Sequence, residues 1–118
     1  MRVGYGLGTN EADPSLGTAA GLLLYDTVTR EFTVFPNPGL DVAPGHGQRP
    51  AAVRALATQG ADVVVVRPGA LCPESYQIAC ALGLQFLVIP PGVEPDTLMI
   101  NVADADLMPT LPPSVYDR

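Results

Sequence analysis

The chain has 118 residues, 47% of them hydrophobic and 15% charged, which suits one compact domain with its own core. The net charge of −6 argues against nucleic acid as the main partner, and all six cations are arginines, which excludes lysine Schiff-base chemistry and a P-loop lysine. No apolar run reaches the roughly 18–20 residues of a membrane span, and MRVGYGLG lacks the basic region and long apolar core of a signal peptide, so a cytoplasmic location is expected.

Twelve glycines and thirteen prolines predict short elements joined by sharp loops. RVGYGL (2–7) is a short β-prone run, followed by a polar, Gly-rich loop, GTNEADPSLGT (8–18). AAGLLLYD (19–26) and REFTVFP (30–36) read as two strands with a hairpin turn between them. Glu31, Thr33 and Phe35 alternate with Phe32 and Val34, the period of two that gives a strand unlike faces. NPGLDVAPGHGQ (37–48) must be a loop. Pro50 then suits the first turn of a helix whose apolar stripe is Ala52, Val53, Leu56 and Ala57 and whose stop is Gly60. ADVVVV (61–66) is the near-continuous β-branched run of a strand covered on both faces. After the tight loop RPGALCPE (67–74), SYQIACALG (75–83) predicts a second helix and LQFLVIP (84–90) a second buried strand. A short helix is expected from Glu94 or Pro95. Residues 1–108 make a single domain, and 109–118 are expected to form a Pro-rich, extended, partly mobile tail.

The order β–β–β–α–β–α–β–(α) gives an α/β fold, a mixed sheet with helices on its faces. With only the second strand reversed, the loops 8–18, 37–48, 67–73 and 90–94 converge on the carboxyl edge, where open α/β sheets bind ligands.

Two stretches carry a resemblance. They are DPSLGTAAGLLLYDTVTREFTVFPNP (13–38) and GHGQRPAAVRALATQGADVVVVRPGALCPESYQIACALGLQFLVIPPGVEP (45–95). The second has a helix ending in a QGAD turn, a Val-rich strand, a Gly-containing loop, a helix ending in LGL, and a final strand. Together they resemble the dinitrogenase iron–molybdenum cofactor-binding domain family, the nitrogenase accessory factors, over about residues 1–100. The resemblance implies a three-layer α/β/α fold of ribonuclease H-like type with a five-stranded mixed sheet. It also implies a non-enzymatic carrier of an iron–sulfur-based or iron–molybdenum cluster or its precursor. The family often has His-Phe-Gly in the loop before the hairpin, the histidine being a cluster-ligand candidate. Here the matching positions are Ser15, Leu16 and Gly17, so the glycine is kept and the imidazole is not.

The candidate cofactor-binding residues are Ser15, Gly17, His46, Arg49, Arg67 and Cys72, with His46 and Cys72 as metal ligands. His46, the only histidine, offers an imidazole near the vacant position; the alternative is a loop histidine held by a hydrogen bond. Cys72 precedes a helix, whose N-terminus favours the metal-binding thiolate; the alternative is a small buried residue. Arg49 and Arg67 flank the same edge and could hold an anion or pair with surface acids. Cys80, Met99 and Met108 read as packing residues. Reduced thiols are expected, and with no CxxC pair a structural zinc site is not. Catalysis has little support: RVGYGL offers no metal-binding carboxylate, Ser15 and Ser75 have no histidine–acid relay, and GYGLG is not a dinucleotide fingerprint. Two principal readings follow. One is a carrier whose partner is a metal cluster or precursor. The other is a metal-free interaction or regulatory module that kept the fold, lost the cluster site and meets a protein partner. An anion- or nucleotide-responsive domain ranks below both. Neither nucleic acid nor membrane is an expected partner.

Overall fold

The computed structural model describes residues 1–117. Its core is one mixed sheet of five strands, β1 (Arg2–Leu7), β2 (Gly21–Asp26), β3 (Phe32–Phe35), β4 (Val63–Val66) and β5 (Gln85–Val88), in the order β3-β2-β1-β4-β5. β1 is antiparallel to β2 and parallel to β4, β2 is antiparallel to β3, and β4 is parallel to β5, so β2 alone is reversed, the condition under which the loops gather on one edge.

Helices cover both faces. Helices α1 (Gln48–Thr58), α2 (Pro73–Ala81) and α4 (Pro113–Tyr116) lie on one side, where Leu56, Ala79 and Val115 pack with Leu22, Val64, Val66 and Phe86. Helix α3 (Pro95–Ile100) lies on the other, where Met99 packs with Val3, Tyr5, Val63, Val65 and Leu87. The four valines of β4 are all buried because successive side chains enter opposite cores.

The alternation in β1 explains its glycines. Val3 and Tyr5 face the α3 side, while Gly4 and Gly6 face α1. A Cβ on Gly4 would lie 2.8 Å from Leu56 Cδ2, and one on Gly6 would lie 3.0 Å from both Ala19 Cβ and Leu16 Cδ1. The bare backbone lets α1 and the 3-10 turn Leu16–Thr18 sit close on the central strand.

Several expectations are corrected. The strand predicted over 30–36 is confined to 32–35, because Arg30 takes a left-handed conformation (φ 62°) to close the hairpin. Phe32 and Val34, on its apolar face, are 47% and 59% exposed, since β3 is an edge strand of the sheet. Cys80 is exposed and not core: it falls on the outer side of α2, while Ser75 and Ala79 take the inner side. Met108 is partly exposed because it acts through its backbone, exchanging two 2.8 Å hydrogen bonds with Phe86 at the β5 edge. The segment after it is docked and not extended. Leu111 and Val115 are buried, and Tyr116 stacks on Tyr76 at 4.0 Å between ring centroids. Arg118, the last residue of the predicted tail, lies outside the described residues.

Candidate functional site

The carboxyl edge is built by loops that hold one another. Leu16 N–H donates to Ala70 O at 3.0 Å, joining loop 8–18 to loop 67–73. The buried Asn37 amide donates to the carbonyls of Leu16 and Ala19, each at 3.0 Å, and accepts from Gly39 N–H at 2.9 Å. Gln48 Nε2 donates to Gly39 O at 3.2 Å, tying loop 37–48 to the start of α1. Gly17 is the contact point beneath: a Cβ there would lie 2.6 Å from Arg49 N and 2.7 Å from Gln48 C. The glycine shared with the family pattern therefore meets a steric requirement, the close approach of two backbones.

Above this knot opens a cavity of about 390 Å³ whose lining includes Ser15, Thr18, Arg49, Cys72 and Glu74. Cys72 is the N-cap of α2, and Pro73 supplies the first-turn residue that needs no N–H partner. Ser75, fully buried one turn later, accepts from Cys72 N–H at 2.9 Å, and its single hydroxyl proton has two acceptors in reach, Cys72 O at 3.1 Å and Cys72 Sγ at 3.2 Å, the second being the one a thiolate would take. Across the cavity, Arg49 Nε donates to Ser15 Oγ at 3.2 Å. Burial pushes the Cys72 thiol up, but hydrogen bonding from Ser75 and the neighbouring Arg49 cation outweigh it and hold the thiol below its ordinary value of 9.0. The cavity can thus present a thiolate beside a guanidinium, a soft donor with a cation suited to an anionic metal-containing group.

The six predicted residues are divided. Ser15, Arg49 and Cys72 meet in this cavity, with Gly17 buried below it. His46 is exposed; its neighbours Gly45 and Gly47 line the cavity, and its own N–H donates to Ala43 O at 3.0 Å. Among the described residues no three of His, Cys, Asp and Glu converge on a point that could hold a metal ion. Arg67 lines a different cavity and donates through Nη1 to Tyr5 Oη at 3.0 Å and Thr9 O at 3.2 Å. Two residues outside the predicted set organise the edge. Asn37 opens an Asn-Pro-Gly turn, and Ser75 closes a Cys-Pro-Glu-Ser helix start; both are local signatures of side chain-to-backbone bonding. No described helix is long and apolar enough to cross a membrane.

The fold recurs in known structures. The apo form of the orange protein from Desulfovibrio gigas superposes with a TM-score of 0.72 at 23% identity, over 90% of this chain and 89% of that one. A putative NifB protein from Thermotoga, assigned to the DUF35 family, gives 0.55 at 19% identity, over 75% of this chain and 76% of that one. At such identities these likenesses speak to the fold alone. No curated protein sequence matches the chain. The family model described as dinitrogenase iron-molybdenum cofactor matches residues 5–88, a span that holds three of the four carboxyl-edge loops, 8–18, 37–48 and 67–73. The chain belongs to the dinitrogenase iron-molybdenum cofactor family.

Proposed function

We propose that the protein is a non-enzymatic carrier that holds an iron–sulfur-based or iron–molybdenum cluster, or its precursor, as exchangeable cargo in the Cys72 cavity. The observation that carries this reading is the pairing of a thiol held below its ordinary value with the Arg49 guanidinium in one open cavity of a cofactor-family fold. A thiolate is the soft donor that such clusters accept. Arg49, held by Ser15 where the family often has histidine, offsets the cargo's negative charge. His46 is exposed and outside the cavity lining, but it sits between the cavity-lining Gly45 and Gly47 and is the candidate second ligand, which a movement of that loop would have to bring in. Few protein ligands leave the cargo's remaining positions open, which is the condition for handing it on.

The test is anaerobic purification from cells that make such clusters, followed by metal analysis and visible absorption. Bound metal in the native protein and its loss in Cys72→Ala are expected. Clean absence of iron, molybdenum and copper from the native protein would sink the proposal. The exposed apolar face of Phe32 and Val34 favours one alternative, a metal-free interaction module. A stoichiometric protein partner recovered without metal would select it.

A further inference from the structure

Arg67 stands outside the Cys72 site. Its cavity of about 580 Å³ opens between loop 67–68 and the end of β5, with Val88, Ile89, Pro90 and Pro91 as one wall. That volume lies within the roughly 300–1,000 Å³ of small-molecule sites, and such sites are mostly apolar with a few placed polar groups. The two cavities share no lining residue. Loops 8–18 and 67–73 meet at the Leu16–Ala70 hydrogen bond and again at Pro14, whose Cγ would lie 2.9 Å from a Cβ on Gly69.

The polar groups of the second cavity are Arg67 and Glu11. The two bonds from Nη1, to Tyr5 Oη and Thr9 O, fix the guanidinium, and Tyr5 Oη itself donates to Thr9 O at 3.1 Å. Among the described residues Nε and Nη2 make no hydrogen bond and the guanidinium has no carboxylate partner. A fixed fork with free donors beside an apolar wall matches a planar carboxylate attached to hydrocarbon. Glu11 adds a negative charge to the same cavity, which disfavours a second carboxylate on the ligand.

We propose that this second cavity binds a small organic monocarboxylate with an apolar body, its carboxylate on Arg67 and its hydrocarbon against Val88, Ile89 and the two prolines. The site is independent of cluster carriage and stands or falls separately from it.

The test is a titration of the ¹⁵N-labelled full chain followed by its amide spectrum. The probes are phenylacetate, its neutral amide phenylacetamide, and the dicarboxylate succinate. Phenylacetate is expected to shift the amides of Arg67, Val88 and Ile89 while leaving those of Gly47, Arg49, Cys72 and Glu74 in place. Phenylacetamide and succinate are expected to bind at least about tenfold more weakly, the scale of losing one charge-assisted hydrogen bond. Arg67→Gln should weaken phenylacetate by a similar factor. Because that variant also loses the Tyr5 and Thr9 anchors, Pro91→Glu is the second arm. It adds a repelling charge at an exposed rim position and leaves Arg67 intact. The proposal is overturned by no shift up to about 10 mM phenylacetate, a concentration well above the millimolar affinity at which even weak binding registers. It is equally overturned by equal binding of the amide, by native affinity in folded Pro91→Glu, or by shifts confined to the Cys72 cavity.

Discussion

Cys72 owes its chemistry to its neighbours more than to its own type. Burial alone raises a thiol, and the Ser75 hydrogen bonds together with the Arg49 cation reverse that. The nucleophile is the thiolate, so alkylation of Cys72 should rise with pH through a midpoint below 9.0. A Cys80→Ser background isolates the site, because Cys80 is exposed and would itself be alkylated, while Cys72 is half-buried. In that background Arg49→Gln and Ser75→Ala should each move the midpoint upward; iodoacetamide rates against pH that coincide with the parent would remove both neighbours from the account. The linkage has a definite sign. The folded thiol titrates below the unfolded one, so its contribution to stability is present above the unfolded value and lost as pH falls through the folded one. Little of this is legible in the sequence. Cys72 before a helix is visible, but Arg49 and Ser15 reach it from 23 and 57 positions away along the chain.

At the scale of elements, the 3-10 turn at Leu16–Thr18 and the start of α1 form one rigid unit clamped by Asn37. Gly17→Ala would press a methyl group onto backbone atoms of Gln48 and Arg49, which cannot rotate away, and should cost about 3 kcal/mol. Gly4→Ala meets the flexible end of Leu56 and should cost nearer 1 kcal/mol. Asn37→Ala leaves buried carbonyls and the Gly39 N–H without their partner and should also cost about 3 kcal/mol. Urea unfolding with unchanged slope is the measurement, and Gly17→Ala no worse than Gly4→Ala would contradict the steric argument. Element types and order were readable here because each has a strong local signal. The Val-rich run, the period-2 hairpin and the helix start at Pro50 depend on neighbours only a few residues apart, whereas the second helix, expected from Ser75, begins two residues earlier at Pro73. Boundaries were less readable where a single backbone conformation decides them, as at Arg30.

For the molecule as a whole, the segment after Met108 completes the core. Leu111 and Val115 are buried against the α1–α2 side, Leu111 N–H donates to Tyr76 Oη at 3.1 Å, and Gly69 N–H donates to Val115 O at 2.9 Å. Truncation after Thr110 should therefore destabilise the fold by about 3–5 kcal/mol, the worth of two buried aliphatic side chains, and lower Tm accordingly. A truncated protein that melts with the full chain would refute the clasp. The Gly69 bond also ties this segment to the loop that carries Arg67 and Cys72, so the core's completion and the shape of the carboxyl edge are linked. What the chain alone dictates is the set of elements and a mixed sheet with helices on its faces, and the edge where the loops gather follows once β2 alone is reversed, since periodicity, turn chemistry and crossover handedness act locally. Tertiary contact decided the rest. It separated Arg67 from Arg49 and Cys72, left His46 at the surface, turned Cys80 outward and folded a Pro-rich tail onto the core. Each of those outcomes rests on distances between residues far apart in sequence, which no local pattern encodes.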